Sequence, residues 1–227
     1  MELPTAKSSP VRDIRDYTFL IYGQPKAGKT TFCSNFEGAL FIATEPGHKF
    51  QEIYKVDPKN WRDIQMIAKH LLNTEHDFKT IVIDTADNAY KMCGDYVKQK
   101  NNIQHESDLG FGKGYALIKD EFMRVINALA QKGFGIVFIS HAQTREIEEN
   151  GIKRAFTDTT LGGSASKVIS GLCDFIFYAS IDANGKRTIR TKANPSVNAG
   201  DRSGKLPEIM PLDFKTLENA LTKNEGE

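Results

Sequence analysis

The chain has little of what would place it by composition alone. Its three cysteines, Cys33, Cys93 and Cys173, are scattered through 227 residues without C-x-x-C spacing. That excludes a disulfide framework and a cysteine-held zinc site, and it fits a reducing, cytoplasmic setting. No apolar run approaches the ~20 residues of a membrane-spanning helix, and the first residues hold no apolar leader segment, so no membrane partner is expected. Excess charge is missing too. Thirty Lys and Arg stand against 29 Asp and Glu, a formal net charge of +1, so any nucleic acid must meet a local patch rather than a global field. There is no internal repeat and no N-K-x-D guanine-reading motif. What remains is ordinary globular material, 40% hydrophobic and 26% charged, enough for the core of one α/β domain.

Against that plain background one stretch stands out. Gly23-Gln24-Pro25-Lys26-Ala27-Gly28-Lys29-Thr30, followed by Thr31, reads G-x-x-x-x-G-K-T, a phosphate-binding P-loop. A loop wrapping a triphosphate must turn several backbone N–H groups inward, which Gly23 and Gly28 permit. Lys29 would set its ammonium against the outer phosphates, and the Thr30 hydroxyl would ligate Mg²⁺, a cation that prefers oxygen. The context is right. Residues 17–22 form an apolar, β-prone run ahead of the loop, and residues 31–36 can form a short helix stopped by Gly38.

Strand and helix patterns alternate from there. Strands are expected over residues 39–44, 80–84 and 135–140, and helices over 60–73, around 89–97, and over 115–131 with Gly133 as the stop. Residues 101–114 read as a Gly-rich loop. This order predicts a mostly parallel sheet with helices on both faces. The texture then changes. Residues 143–163 read as a polar loop with a hairpin signal at Asn150-Gly151, and Ser164 as the cap of a helix ending at Leu172. A strand over 174–179 turns at 182–185 and returns antiparallel over 187–193, and Asp213 can cap a last helix. The expected organisation is an arm (1–16), a single domain (17–222) and a tail (223–227).

Several residues could carry chemistry. Asp84 ends an apolar strand and suits the acidic group of the Mg²⁺ shell, or else caps the next segment. Thr85 follows it where many motor ATPases carry a water-activating Glu. Glu45 is the substitute: if its strand lies beside the P-loop strand, its carboxylate faces the γ-phosphate; otherwise it is a turn residue. His141 could hydrogen-bond the γ-phosphate or be a surface histidine. Arg190 and Lys192, two apart on a strand, would share a side and reach a neighbouring subunit's phosphate, or else line a solvated edge. Arg145, Lys153, Arg154 and Lys167 could follow a single strand's phosphates, or be solvated among Glu146, Glu148 and Glu149.

Taken together, this layout resembles the RecA-like P-loop ATPases. It is most similar to the small phage-encoded nucleotide-binding proteins linked to single-strand annealing recombination. The further phrases are Thr44-Glu45-Pro46-Gly47, Gly110-Phe111-Gly112-Lys113-Gly114-Tyr115, Ser140-His141-Ala142-Gln143 and Ala199-Gly200-Asp201-Arg202-Ser203-Gly204-Lys205-Leu206-Pro207. The resemblance implies ATP and Mg²⁺ as cofactors. It makes Glu45 the water-activating base, His141 the γ-phosphate sensor, residues 143–163 the DNA loop, and Arg190 with Lys192 intersubunit contacts. The implied partners are single-stranded DNA, further copies of the chain and a single-strand-binding protein. With only a short arm beside the domain, annealing is expected rather than full strand exchange. The alternatives from the residues themselves are a P-loop kinase of a nucleotide or small molecule, and a nucleotide-binding switch that barely hydrolyses.

Overall fold

The protein is described here by a computed structural model covering residues 3, 5–7, 13–149 and 151–222. The strands and helices alternate as β1 (Thr18–Gly23), α1 (Lys29–Cys33), β2 (Ala39–Ala43), β3 (Tyr54–Val56), α2 (Trp61–Asn73), β4 (Thr80–Asp84), α3 (Ala86–Lys100) and α4 (Lys113–Lys132). They continue with β5 (Gly135–Glu149), β6 (Ile152–Thr159), α5 (Gly163–Leu172), β7 (Phe175–Ile181), β8 (Arg187–Arg190), β9 (Gly200–Asp201), β10 (Ile209–Pro211) and α6 (Phe214–Thr222). The sheet runs in the order β10-β8-β7-β1-β5-β4-β2-β3. From β7 to β3 every pairing is parallel, while β8, β9 and β10 join antiparallel. This is the expected α/β class, with its antiparallel strands towards the carboxyl end.

The near-continuous apolar strands are explained by cover on both faces. Alternate residues of a strand point to opposite sides. Leu20, Tyr22, Ile81, Ile83, Ile136 and Phe138 pack on one side with residues of α2, α3, α4 and α5. Phe19, Ile21, Val82, Val137 and Ile139 pack on the other with residues of α1 and α6. Ile14, expected in the lead-in arm, is buried in this second core. The arm's earlier residues and the tail, 223–227, lie largely or wholly outside the described residues. Trp61 stacks on Phe122 at 5.5 Å and donates its indole N–H to Glu121 at 2.9 Å, so the largest core side chain is also satisfied. The Asn60 side chain caps α2, accepting from the amides of Arg62 and Asp63.

Four expectations change. Residues 143–163 are mostly not a loop: β5 leaves the sheet and pairs antiparallel with β6 over residues 142–159. Their charges read as loop composition because they pair across strands, Lys153 with Glu146 at 3.2 Å and Arg154 with Glu149 at 2.6 Å. Of the turn signal, Asn150 lies outside the described residues. Second, α5 starts after Gly162, and Ser164 sits within its first turn with its hydroxyl 3.4 Å from that of Tyr90. Third, β8 stops at Arg190 and Lys192 lies in a bend beyond it, so the two do not share a strand face. Fourth, β2 lies beside β4 and is separated from β1 by β4 and β5.

Two glycines test this packing. A Cβ on Gly135, at the start of β5, would sit 1.9 Å from the Arg15 carbonyl oxygen, whereas one on Gly171, on the exposed side of α5, meets nothing within 4 Å. In urea unfolding, Gly135→Ala is expected to lose about 1–3 kcal/mol. Gly171→Ala is expected to gain about 0.5–1 kcal/mol through helix propensity.

Candidate functional site

The parallel register aligns strand ends. Gly23 lies opposite His141 and Ala179, while Asp84 lies opposite Ala43 and Ile139. The segments after these strands therefore meet at the carboxyl edge. They enclose a cavity of about 450 Å³ lined by Pro25, Lys26, Gly28, Lys29, Thr30, Thr31, Glu45, Asp84, Thr85, His141 and Arg187, among others. A groove of about 600 Å³ between β3 and α2 is roomier, but it is lined by Leu40, Tyr54, Val56, Met66, Ile67 and Phe78 with Lys55, His70, Glu75 and His76, and it shares no residue with the P-loop cavity.

The P-loop is shaped for close approach. Gly28 has φ +100° and Lys26 φ +66°, both in the left-handed region. A Cβ on Gly23 would lie 2.2 Å from the Ala179 carbonyl oxygen, so the loop and β7 touch backbone to backbone. Ala27 is buried in the core beneath the loop. Lys29 is buried as well, and its Nζ donates to the carbonyls of Gly23 at 2.8 Å and Gln24 at 2.9 Å. Burial pulls its pKa below the usual lysine value, against the pull of Asp84 and Glu45. An anion entering the cavity would offset that cost by pairing with the ammonium.

Thr30 and Asp84 meet as the motif requires. The Thr30 hydroxyl donates to Asp84 Oδ2 at 2.8 Å, which puts side by side two oxygen groups that could hold a hard cation. His48 Nε2 lies 3.0 Å from the same oxygen and is almost fully buried. Glu45 is not carried by a neighbour of β1, yet it reaches the same cavity because β4 and β5 end in register between them. Glu45 Oε2 lies 3.6 Å from His141 Nε2 and accepts from the Asn88 amide at 3.5 Å. Three residues lining the cavity carry a buried atom without a protein partner: the Thr85 hydroxyl, His141 Nδ1 and Gln51 Oε1. These orphaned groups, the glycine cradle and the Thr30–Asp84 pair fit a nucleotide with its Mg²⁺.

A sequence model of AAA domains matches residues 15–203. The chain belongs to the AAA-domain family. Among solved structures it is similar to the RadB recombinase, at 13% identity and a TM-score of 0.48, with 82% of this chain and 86% of that chain covered. No curated protein matches the sequence. No helix among the described residues is long and apolar enough to cross a membrane.

The other expected residues do not gather there. Arg145 sits 3.8 Å from Asp158, and Lys153 and Arg154 pair within the hairpin; Lys167 is exposed on α5. Arg190 is bound by Glu208. Thr85 and Arg187 line the cavity and His48 bonds Asp84, yet none of the three was a candidate from sequence. His48 and Thr85 carry no motif signal beyond their neighbours Glu45 and Asp84. Arg187 was one of several C-terminal cations, and only the fold of β7 and β8 lays it against the P-loop.

Within this AAA-domain cavity, Lys29→Ala is expected to raise the Kd of a fluorescent ATP analogue about tenfold to hundredfold. Thr30→Ala and Asp84→Asn should bind the analogue in EDTA about as the unaltered chain does. Both should lose the tightening that Mg²⁺ brings, read in the same titration.

Proposed function

We propose that this chain is an ATP- and Mg²⁺-dependent RecA-like ATPase that binds single-stranded DNA and acts in recombination by single-strand annealing. The observation that carries the reading is the convergence of Lys29, the Thr30–Asp84 pair and the Glu45–His141 pair on one cavity at the root of a protruding hairpin.

In this reading the P-loop amides and Lys29 bind the phosphates, and Thr30 with Asp84 holds the metal. Bound Mg²⁺ supplies charge that neutralises the phosphate oxygens. Glu45 orients a water and takes its proton, with His141 and Asn88 holding the carboxylate in place. His141 also begins the coupling outward. Its carbonyl accepts from the Thr160 amide at 2.9 Å, and Asp87 binds the hydroxyls of Ser140 and Thr160 at the two roots of the hairpin. A change at the γ-phosphate position therefore bears directly on the hairpin over residues 142–159.

A second projection stands on the same edge. α3 leaves the sheet just after Asp84. It runs antiparallel to α4, with Cys93 meeting Ile118 and Tyr90 meeting Phe122. α4 ends at the opposite edge, where β5 begins, so residues 101–112 stand beyond the cavity. There Phe111, φ +46°, is held fully exposed between Gly110 and Gly112, with Lys113 beside it. An aromatic face next to a lysine suits a stacked base next to its phosphate. The kinase alternative needs an Arg-rich lid, but Arg145 and Arg154 are ion-paired within the hairpin. Copies of the chain and a single-strand-binding protein are the further partners of this proposal.

Anisotropy of a labelled single-stranded oligonucleotide tests the DNA role. With a non-hydrolysable ATP analogue the affinity should rise, and it should fall with salt. Phe111→Ala should weaken binding about tenfold. Absence of binding in every nucleotide state would remove DNA from the proposal. Glu45→Gln should leave ATP binding intact while slowing turnover about hundredfold or more. Unchanged turnover would favour the nucleotide-binding switch.

A further inference from the structure

We propose that Arg187 supplies, from the same chain, a guanidinium contact to the nucleotide's outer phosphates, so that each chain completes its own nucleotide site. The inference rests on the nucleotide-binding reading of the cavity and adds to it a residue and the subunit from which it comes.

The placement is specific. Arg187 opens β8, and its backbone is held by pairing with Ile181 and by accepting the Leu212 amide at 3.1 Å. Its side chain is directed to the P-loop: a Cβ on Gly28 would lie 3.0 Å from Arg187 Cδ and 3.3 Å from Nε. Gly28 is a glycine already because of its φ of +100°, and the missing side chain leaves the path along which the Arg187 stem runs.

The charge of the cavity points the same way. Lys26 and Lys29 are matched by Glu45 and Asp84, so Arg187 is the group that turns the lining net positive. A triphosphate needs such an excess. Arg187 is also uncommitted: among the described residues it has no ion-pair or side-chain hydrogen-bond partner, whereas Arg190 is bound by Glu208 and Arg202 by Asp174. A guanidinium offers a planar fork of donors that matches phosphate oxygens two at a time. Arg190 and Lys192, read from sequence as contacts across a subunit boundary, do not share a face. The same-chain Arg187 is the cation positioned for the task.

Fluorescent ATP, ADP and AMP analogues titrated with the full chain test this by affinity alone. Arg187→Ala should weaken ATP binding about tenfold to hundredfold, ADP less, and AMP by less than about twofold. Arg187→Lys should recover part of the loss. Thermal unfolding of both variants should match that of the unaltered chain, since the side chain is exposed. An excess of Lys29→Ala chain, which brings an intact Arg187 but a damaged P-loop, should not restore ATP affinity to Arg187→Ala. Wild-type affinity in Arg187→Ala would overturn the inference while Lys29→Ala still reports the site. Restoration by the Lys29→Ala chain would assign the contact to a neighbour, and an equal loss for ATP and AMP would assign it to the nucleoside or the α-phosphate instead of the outer phosphates; either overturns it. Failure of the unaltered chain to bind any analogue would overturn the nucleotide reading itself, and this inference with it.

Discussion

Everything at the site depends on parallel strands ending together. Because β7, β1, β5, β4 and β2 run the same way in register, the residues that follow them meet at one edge, and those that precede them are carried to the other. A parallel sheet imposes long crossovers, and those crossovers are the helices whose apolar faces cover it. The two cores thus do more than stabilise: they hold Gly23, Asp84 and His141 at fixed spacing. Lys29 can be buried, with its charge desolvated, only because carbonyls of its own loop satisfy it.

The cavity is polar, and its polar groups are unevenly satisfied. Thr30, Asp84 and His48 form a closed set, while the Thr85 hydroxyl and His141 Nδ1 have no protein partner. Buried polar atoms left open are costly unless something completes them. Thr85, His141 and Gln51, three of the residues with such atoms, line the cavity at the carboxyl edge of the sheet, while Asp87, Arg154 and Ser170 carry others outside it. The Asp87 contacts with Ser140 and Thr160 then tie the start of α3 to the two roots of the hairpin.

Much of this was legible in the residue pattern. Apolar runs bounded by Gly and Asp marked β1, β4 and the start of β5, the 3.6-residue period marked α2 and α4, and Gly133 marked a helix end. The P-loop motif was readable from its residue types and spacing, and Asp84 from its place at the end of an apolar run. The hairpin was not. Alternating Glu, Lys and Arg satisfy one another across strands there, and a pairing partner several residues away is invisible to a local pattern. Lys192 was misplaced for a related reason, because the strand's end is decided by β10 and by the Glu208 contact on Arg190, not by the local run.

By itself the sequence determined the α/β class, the P-loop motif and the place of Asp84 at the end of a buried strand. These follow from local backbone geometry and burial patterns. Only the tertiary structure decided that Glu45 reaches the cavity across two intervening strands, that Thr85 lines it and His48 bonds Asp84, and that Arg187 and not Arg190 lies over the P-loop. Those outcomes depend on strand order and register, which are set by how the helices pack on the two faces rather than by neighbours in the chain.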